Sequence, residues 1–284
     1  MKIGDYFVTP LHEGHILRDG GVSFGALPKS EWSKLMVPDA DNQLRFSLAY
    51  FLVQGHGKNI LIDAGIGEKL SAVDEKALGV TRLATTDDLL GHHGLKRDDI
   101  DMIIMTHLHF ASAGGLTSMS KEGVLVPSFP RAAVLVQDGE WERAVHANVR
   151  TRPLYRKENF EPLLWHQKLS LIEGDTQVLP GLVTRVTGGH TKMHQIVAIE
   201  SQGEGAIFWG DLIPTVKHIE LNAITALDLY PLGSLEMKAR WLTHAIENHW
   251  VSFFSRDPQI AAAQLSGSVR GDDGVSYDAL LVLG

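Results

Sequence analysis

The sequence predicts an α/β fold in the form of a sandwich, with two β-sheets inside and helices outside. Two observations predict it. Short runs rich in β-branched residues, bounded by Gly, Asp or Asn, fall into two separate sets along the chain. Helical patterns lie between and after them, and layering helices outside two sheets buries both faces of each sheet.

The first set of runs covers residues 48–53, 59–62, 102–105 and 133–136. The second covers residues 182–186, 196–199 and 206–209. A helix is expected over residues 85–95, with Asp87 and Asp88 near its positive end, and another over 138–149. The clearest helix spans 234–250, where Leu235, Ala239, Leu242 and Ile246 repeat at helical spacing and Ser234 is the expected N-cap. Trp241 and Trp250 lie off or at the margin of that stripe, which fits either a homodimer contact or packing on the sheet. No linker, low-complexity tract or short repeat divides the chain, so residues 1–284 are expected to form one domain, with 1–45 as an N-terminal extension. Within it, segment 20–28 is too apolar for an idle loop and is expected to cover a substrate pocket or pack on the sheet.

Composition narrows the function. A net charge of −8 argues against a protein that tracks nucleic-acid phosphates. With no cysteine in the chain, any metal site must use His, Asp, Glu or water. No apolar run approaches the ~20 residues needed to span a bilayer. The start, Met1-Lys2-Ile3-Gly4-Asp5, shows no apolar signal region, so a cytoplasmic location is expected.

The chemistry gathers where strands end. Asp63 follows the run at 59–62, and His190 follows the 182–186 run and the turn Gly188-Gly189. Asp211 follows the 206–209 run, and His107 and His109 follow the run at 102–105. Two histidines two residues apart, just past a strand, can point both imidazoles at one metal ion, and rigid strands feeding one edge are how α/β folds assemble a site.

The segment Thr106-His107-Leu108-His109-Phe110-Ala111-Ser112-Ala113-Gly114-Gly115 resembles the signature of the metallo-β-lactamase superfamily, His-x-His-x-Asp-His followed by a Gly pair. Asn59-Ile60-Leu61-Ile62-Asp63-Ala64-Gly65, Gly189-His190-Thr191-Lys192-Met193-His194, Gly210-Asp211 and Phe253-Phe254-Ser255-Arg256-Asp257-Pro258 resemble its further segments in order, from about Phe7 to Leu265. The resemblance implies a four-layer αββα sandwich and a metal-dependent hydrolase. Carried over by position, His107, His109 and His190 match the ligands of one metal, with Asp211 as a further ligand or an orienting carboxylate. The second metal's own ligands are replaced by Ala111, Ser112 and Arg256. One divalent ion is therefore expected, most readily zinc, with iron or manganese as alternatives, and the second metal site is expected to be absent.

The metal can bring the pKa of bound water to around 7. Asp211 is then a candidate proton relay, and Arg256 partly replaces the second metal's charge, unless it merely pairs with Asp257 or a surface acid. Ser112 is a candidate donor to substrate; a covalent serine is disfavoured because no Ser-His-acid arrangement is apparent. His194 is expected to orient a ligand or cap a helix, Asp63 to bond backbone or a ligand histidine, and His218 is a candidate substrate contact. His92 and His93 are expected at a solvated helix end. The expected substrate is a small ester or lactone. The alternatives are a catalytically degenerate protein that binds a small molecule or partner, and a second site rebuilt by His218 or Glu140.

Overall fold

The computed structural model describes residues 1–269 and 274–283. The two sets of runs separate into two sheets. The first is ordered Lys2–Ile3, Tyr6–Asp19, Gln43–Gly55, Lys58–Ile62, Met102–Ile104, Ala133–Gln137 and Leu169–Ile172, with Thr81–Arg82 on the outer side of Tyr6–Asp19. The second is ordered Thr176–Leu179, Leu182–Val186, Gln195–Ser201, Glu204–Phe208, Val251–Phe253, Ile260–Gly267 and Val275–Val282.

Apolar side chains from both sheets meet between them. Phe51 of the first sheet packs edge-on against Phe208 and Phe253 of the second, with ring centroids 5.2 and 5.4 Å apart. Val8, Val53, Ile60 and Ile104 face Leu182, Val197, Ile199 and Ala262 in the same cluster. Helix Asp138–Val145 covers the outer face of the first sheet through Trp141 and Ala144. Helix Pro231–Glu247 covers the second through Leu242 and Ala245. Four layers result, helix, sheet, sheet, helix, and burial of both sheet faces explains why residues 46–53 read as an almost unbroken apolar run. Among the described residues no helix is long and apolar enough to cross a membrane.

Residues 1–45 correct the expectation of an extension. Tyr6–Asp19 is the longest strand of the first sheet and pairs with Gln43–Gly55 from Phe7↔Gln54 to Asp19↔Gln43. Only residues 20–42 stand out from the sheet, and they pack onto it: Phe24 and Trp32 are buried, their rings stacked 5.6 Å apart. The helices are also shorter or shifted. The first is Thr86–Gly91, closed by a capping box between Thr85 and Asp88, and His92 and His93 are exposed just beyond it. The second ends at Val145. The long one begins at Pro231, whose missing N–H costs nothing in the first turn, so Ser234 is a buried residue of that turn and not its cap. Trp250 is buried at the end of this element, and the ring of His244 lies between Trp241 and Trp250, edge-on to both.

The bulge between His12 and Gly14 turns Glu13 inward. Its carboxylate accepts the Ile66 N–H at 2.8 Å. Burial pushes this carboxyl up from 4.5 to about 7, against the pull of that N–H and of Arg82. An acid whose pKa is raised by folding holds its proton more tightly in the folded chain, so its contribution to stability falls as pH rises from 4.5 to 7. Glu13→Gln is therefore expected to gain on the wild type by roughly 3 kcal/mol between pH 4.5 and 8. Melting curves of both proteins across that range test this; a constant gap between them would show that Glu13 does not titrate with folding.

Candidate metal centre

Both sheets deliver residues to one edge. Strand Met102–Ile104 leads through Thr106 to His107, and His109 precedes the short helix Phe110–Ala113. The Gly pair after this helix is needed for close approach: a Cβ on Gly114 or Gly115 would lie 1.9 or 2.0 Å from the carbonyl oxygens of Ile66 and Ala64. From the second sheet, Leu182–Val186 leads to His190, Glu204–Phe208 to Asp211 and Val251–Phe253 to Arg256. Gly189, at φ 83°, lets the His190 loop pass under the long helix, where a Cβ would meet Ser234.

His107, His109 and His190 converge, each offering a nitrogen within 4.8 Å of the others, and all three are buried. His190 Nδ1 lies 2.8 Å from Asp228 Oδ1, and donating there leaves the Nε2 lone pair facing His109 Nδ1 at 3.1 Å. Thr106 Oγ1 gives its proton to Asp63, with contacts of 3.0 and 2.9 Å, so it accepts from His107 Nδ1 at 2.9 Å. That leaves His107 Nε2 bare, buried and without a partner among the described residues. A buried imidazole nitrogen is rarely left unbonded without reason. His109 Nε2 is likewise buried without a partner among the described residues, and His190 turns Nε2 toward the same point, an arrangement that fits a divalent metal ion.

Electrostatics supports the same fit. Burial, reinforced by neighbouring imidazoles, holds His107 and His109 well below the usual histidine range, so both are neutral donors. Burial is the largest single influence on His190 and disfavours its charge, but the hydrogen bond to Asp228 and the charges of Asp228 and Asp211 together outweigh it and raise the basicity of the ring. Asp211 Oδ2 lies 3.9 Å from His107 Nε2 and 3.8 Å from His190 Nε2. Burial alone would raise Asp211; the charge of Arg256, the strongest opposing influence, holds it well below the ordinary carboxylate range.

Arg256 points into this centre. It is 1% exposed, and its Nε donates to Asp211 Oδ1 at 3.0 Å. The other two nitrogens donate to Ala111 O at 3.3 Å and Ser112 Oγ at 2.5 Å. The guanidinium thus lies against Ala111 and Ser112, the two positions where the motif that this segment resembles has an aspartate and a histidine. Its alternative partner, Asp257, is engaged elsewhere, accepting the N–H groups of Val216, Gln259 and Ile260.

The remaining candidates fall around the centre. Asp63 sits at φ 61°, a sparsely populated conformation for a non-glycine residue, and holds Thr106 through both N–H and hydroxyl. Burial pushes its carboxyl up to about 7. His194 is buried and bonds Thr187 Oγ1 through Nδ1 at 2.8 Å; it bonds none of the three clustered histidines. His218 is not a substrate contact in this geometry. It is fully buried, with Nδ1 on Thr215 Oγ1 and Nε2 on Ser23 O, and its ring stacks on Phe24 at 4.7 Å. It pins segment 20–28 to the fold. Glu140 does not rebuild a second site either: its carboxylate accepts from Leu108 N, Tyr155 Oη and Thr191 Oγ1 and so braces both histidine loops. Asp228, the partner of His190, escaped sequence reasoning because it lies 38 residues away in an irregular stretch with no motif around it.

A family model described as the metallo-beta-lactamase superfamily matches residues 43–247. A probable metal-dependent hydrolase from Staphylococcus aureus superposes over 100% of both chains, with a TM-score of 0.90 and 33% identity. An N-acyl homoserine lactonase of Bacillus thuringiensis is 31% identical over 169 residues, which is 55% of this chain and 60% of that protein. AidC, a dizinc quorum-quenching lactonase, shares the fold at 18% identity and a TM-score of 0.81, over 100% of this chain and 97% of its own. The family match covers well over half the sequence, and the site segments fall where the two sheets meet: the chain belongs to the metallo-beta-lactamase superfamily.

Proposed function

We propose that the protein is a mononuclear metal-dependent hydrolase of a small ester or lactone. The observation that carries this is the division of the site: three imidazoles converge on one side, and the Arg256 guanidinium fills the other. His107, His109 and His190 would hold the ion, zinc being the best fit and iron or manganese the alternatives. When bound, a divalent ion supplies Lewis acidity and a water acidic enough to act as a nucleophile near neutral pH. Asp211 Oδ2, directed at the histidines, would orient such a water by accepting a hydrogen bond from it. Asp211 is kept as a carboxylate by Arg256. Of the five N–H donors of Arg256, three are spent on protein acceptors. The other two, and the fixed charge, are available to an oxyanion forming on a substrate carbonyl. Ser112 holds the guanidinium in place. The lactone class is supported by the Bacillus thuringiensis relative, which is an N-acyl homoserine lactonase.

Protein purified without chelator is expected to carry about one metal ion per chain by elemental analysis, and His107→Ala none, with unchanged circular dichroism. Ester and lactone turnover should disappear in the same variant. About two ions in the wild type would overturn the mononuclear reading. The missing carboxylate at Ala111 favours one other reading, a binding protein that has lost catalysis. Wild-type protein that holds its metal yet hydrolyses no ester, lactone or phosphoester would establish that reading instead.

A further inference from the structure

Strand Tyr6–Asp19 brings a second arginine toward the metal centre. Arg18 lies opposite Leu44 and Ile16 opposite Phe46, so residues 16, 18, 44 and 46 share one face of the sheet. That face is otherwise apolar. Ile16, Leu44, Phe46 and Leu48 pack in one cluster with Phe24, Trp32, Ile66 and Ala111, the residue in the aspartate's place. Arg18 is half-buried, with its guanidinium carbon 5.3 Å from the centroid of the Phe46 ring. The ring face steadies the cation without using any of its N–H donors. Among the described residues no acceptor bonds the Arg18 side chain, and what acts on it is burial and the more distant charges of Asp211, Arg256 and Asp228. Its own charge is felt by His109, His190 and Asp211.

A partly desolvated guanidinium without an acceptor is costly unless something pairs with it. Its rigid fork matches a planar carboxylate bidentately. A phosphate monoester carries roughly −1.5 to −2 charges at neutral pH, more than one guanidinium balances on an apolar wall. We propose that Arg18 is a specificity residue that receives a carboxylate carried by the substrate, so that the preferred ester or lactone is a monoanion. The description of the substrate as an ester or lactone rests on the hydrolase reading above; the carboxylate does not.

Calorimetry on the metal-loaded protein tests this with ω-amido carboxylates of three to eight carbons, each against the neutral diamide of the same length. These ligands are not esters, so turnover is not part of the readout. Wild type is expected to bind at least one carboxylate tenfold or more tighter than its diamide, less so at high salt. Arg18→Met should lose that preference, and Arg18→Lys, which keeps the charge without the fork, should retain part of it. Melting curves identify a variant that has failed to fold, and Arg18→Gln then takes the place of Arg18→Met. A wild type that binds none of the series, or does not discriminate, overturns the proposal, as does a folded Arg18→Met that still discriminates. Carboxylate binding without hydrolysis of any ester or lactone would sink the hydrolase reading alone, and hydrolysis without carboxylate preference would sink this proposal alone.

Discussion

Arg256→Met is expected to destabilise the metal-free protein by roughly 3–5 kcal/mol, the usual consequence of breaking a buried ion pair by removing one partner. The shift in melting temperature is on the order of 10 °C for a chain of this size. Arg256 and Asp211 are 1% and 4% exposed, so Asp211 would be left as a nearly dry, unbalanced carboxylate beside three histidines. A divalent ion in the histidine cluster would partly restore the balance. Melting curves with chelator should therefore show a large loss, and curves with added zinc a much smaller one, while the wild type depends less on metal. Turnover tests the second role. If the guanidinium stabilises an oxyanion, methionine should lower kcat by about 10²–10³. Arg256→Lys keeps a positive charge but cannot reach Asp211, Ala111 and Ser112 together, so an intermediate loss is expected. An unchanged melting curve in chelator would mean the ion pair does not support the fold, and unchanged kcat would remove Arg256 from the chemistry.

The strands that could be read from sequence are those buried on both faces, such as Gln43–Gly55 and Gln195–Ser201, where continuous apolar runs leave little choice of structure. Tyr6–Asp19 was hidden because Pro10, Glu13 and Gly14 interrupt its pattern. Pro10 is tolerated because, among the described residues, the strand is paired along its length only with Gln43–Gly55, while its other side meets just the two-residue strands Lys2–Ile3 and Thr81–Arg82. Ile260–Gly267 was hidden by its three alanines, which favour helix in isolation but lie in the sheet between Val251–Phe253 and Val275–Val282. At the site, His107, His109, His190 and Asp211 were legible because each directly follows a strand and belongs to a local pattern. Contacts between segments far apart in sequence were not. Asp228 reaches His190 from an irregular loop, and the choice of Arg256 between Asp211 and Asp257 is decided by how the second sheet presents its strand ends. Local sequence specifies which side chains stand at the edge; the packing of two sheets specifies which of them touch.

That distinction allows the number of metals to be changed deliberately. Ala111→Asp, Ser112→His and Arg256→His together put back the residue types that the superfamily pattern has at these positions, and metal content is expected to rise from about one to about two ions per chain. The informative control is the double variant, Ala111→Asp with Ser112→His, in which Arg256 remains. The guanidinium bonds the backbone carbonyl of Ala111, so a carboxylate introduced at 111 has a cation near it already. The double variant should stay at about one ion, because the new charge pairs with Arg256 and does not capture a metal, and melt below the wild type, because Ser112→His removes an acceptor of the buried guanidinium and enlarges a residue that is 1% exposed. Two ions in the double variant would show that the guanidinium does not exclude a second cation. One ion in a folded triple variant would show that the backbone around residues 111 and 256 has moved away from a two-metal geometry. A rise to two in the triple variant alone would identify Arg256 as the residue that keeps the centre mononuclear, a positive charge built into the chain where an ion would otherwise bind.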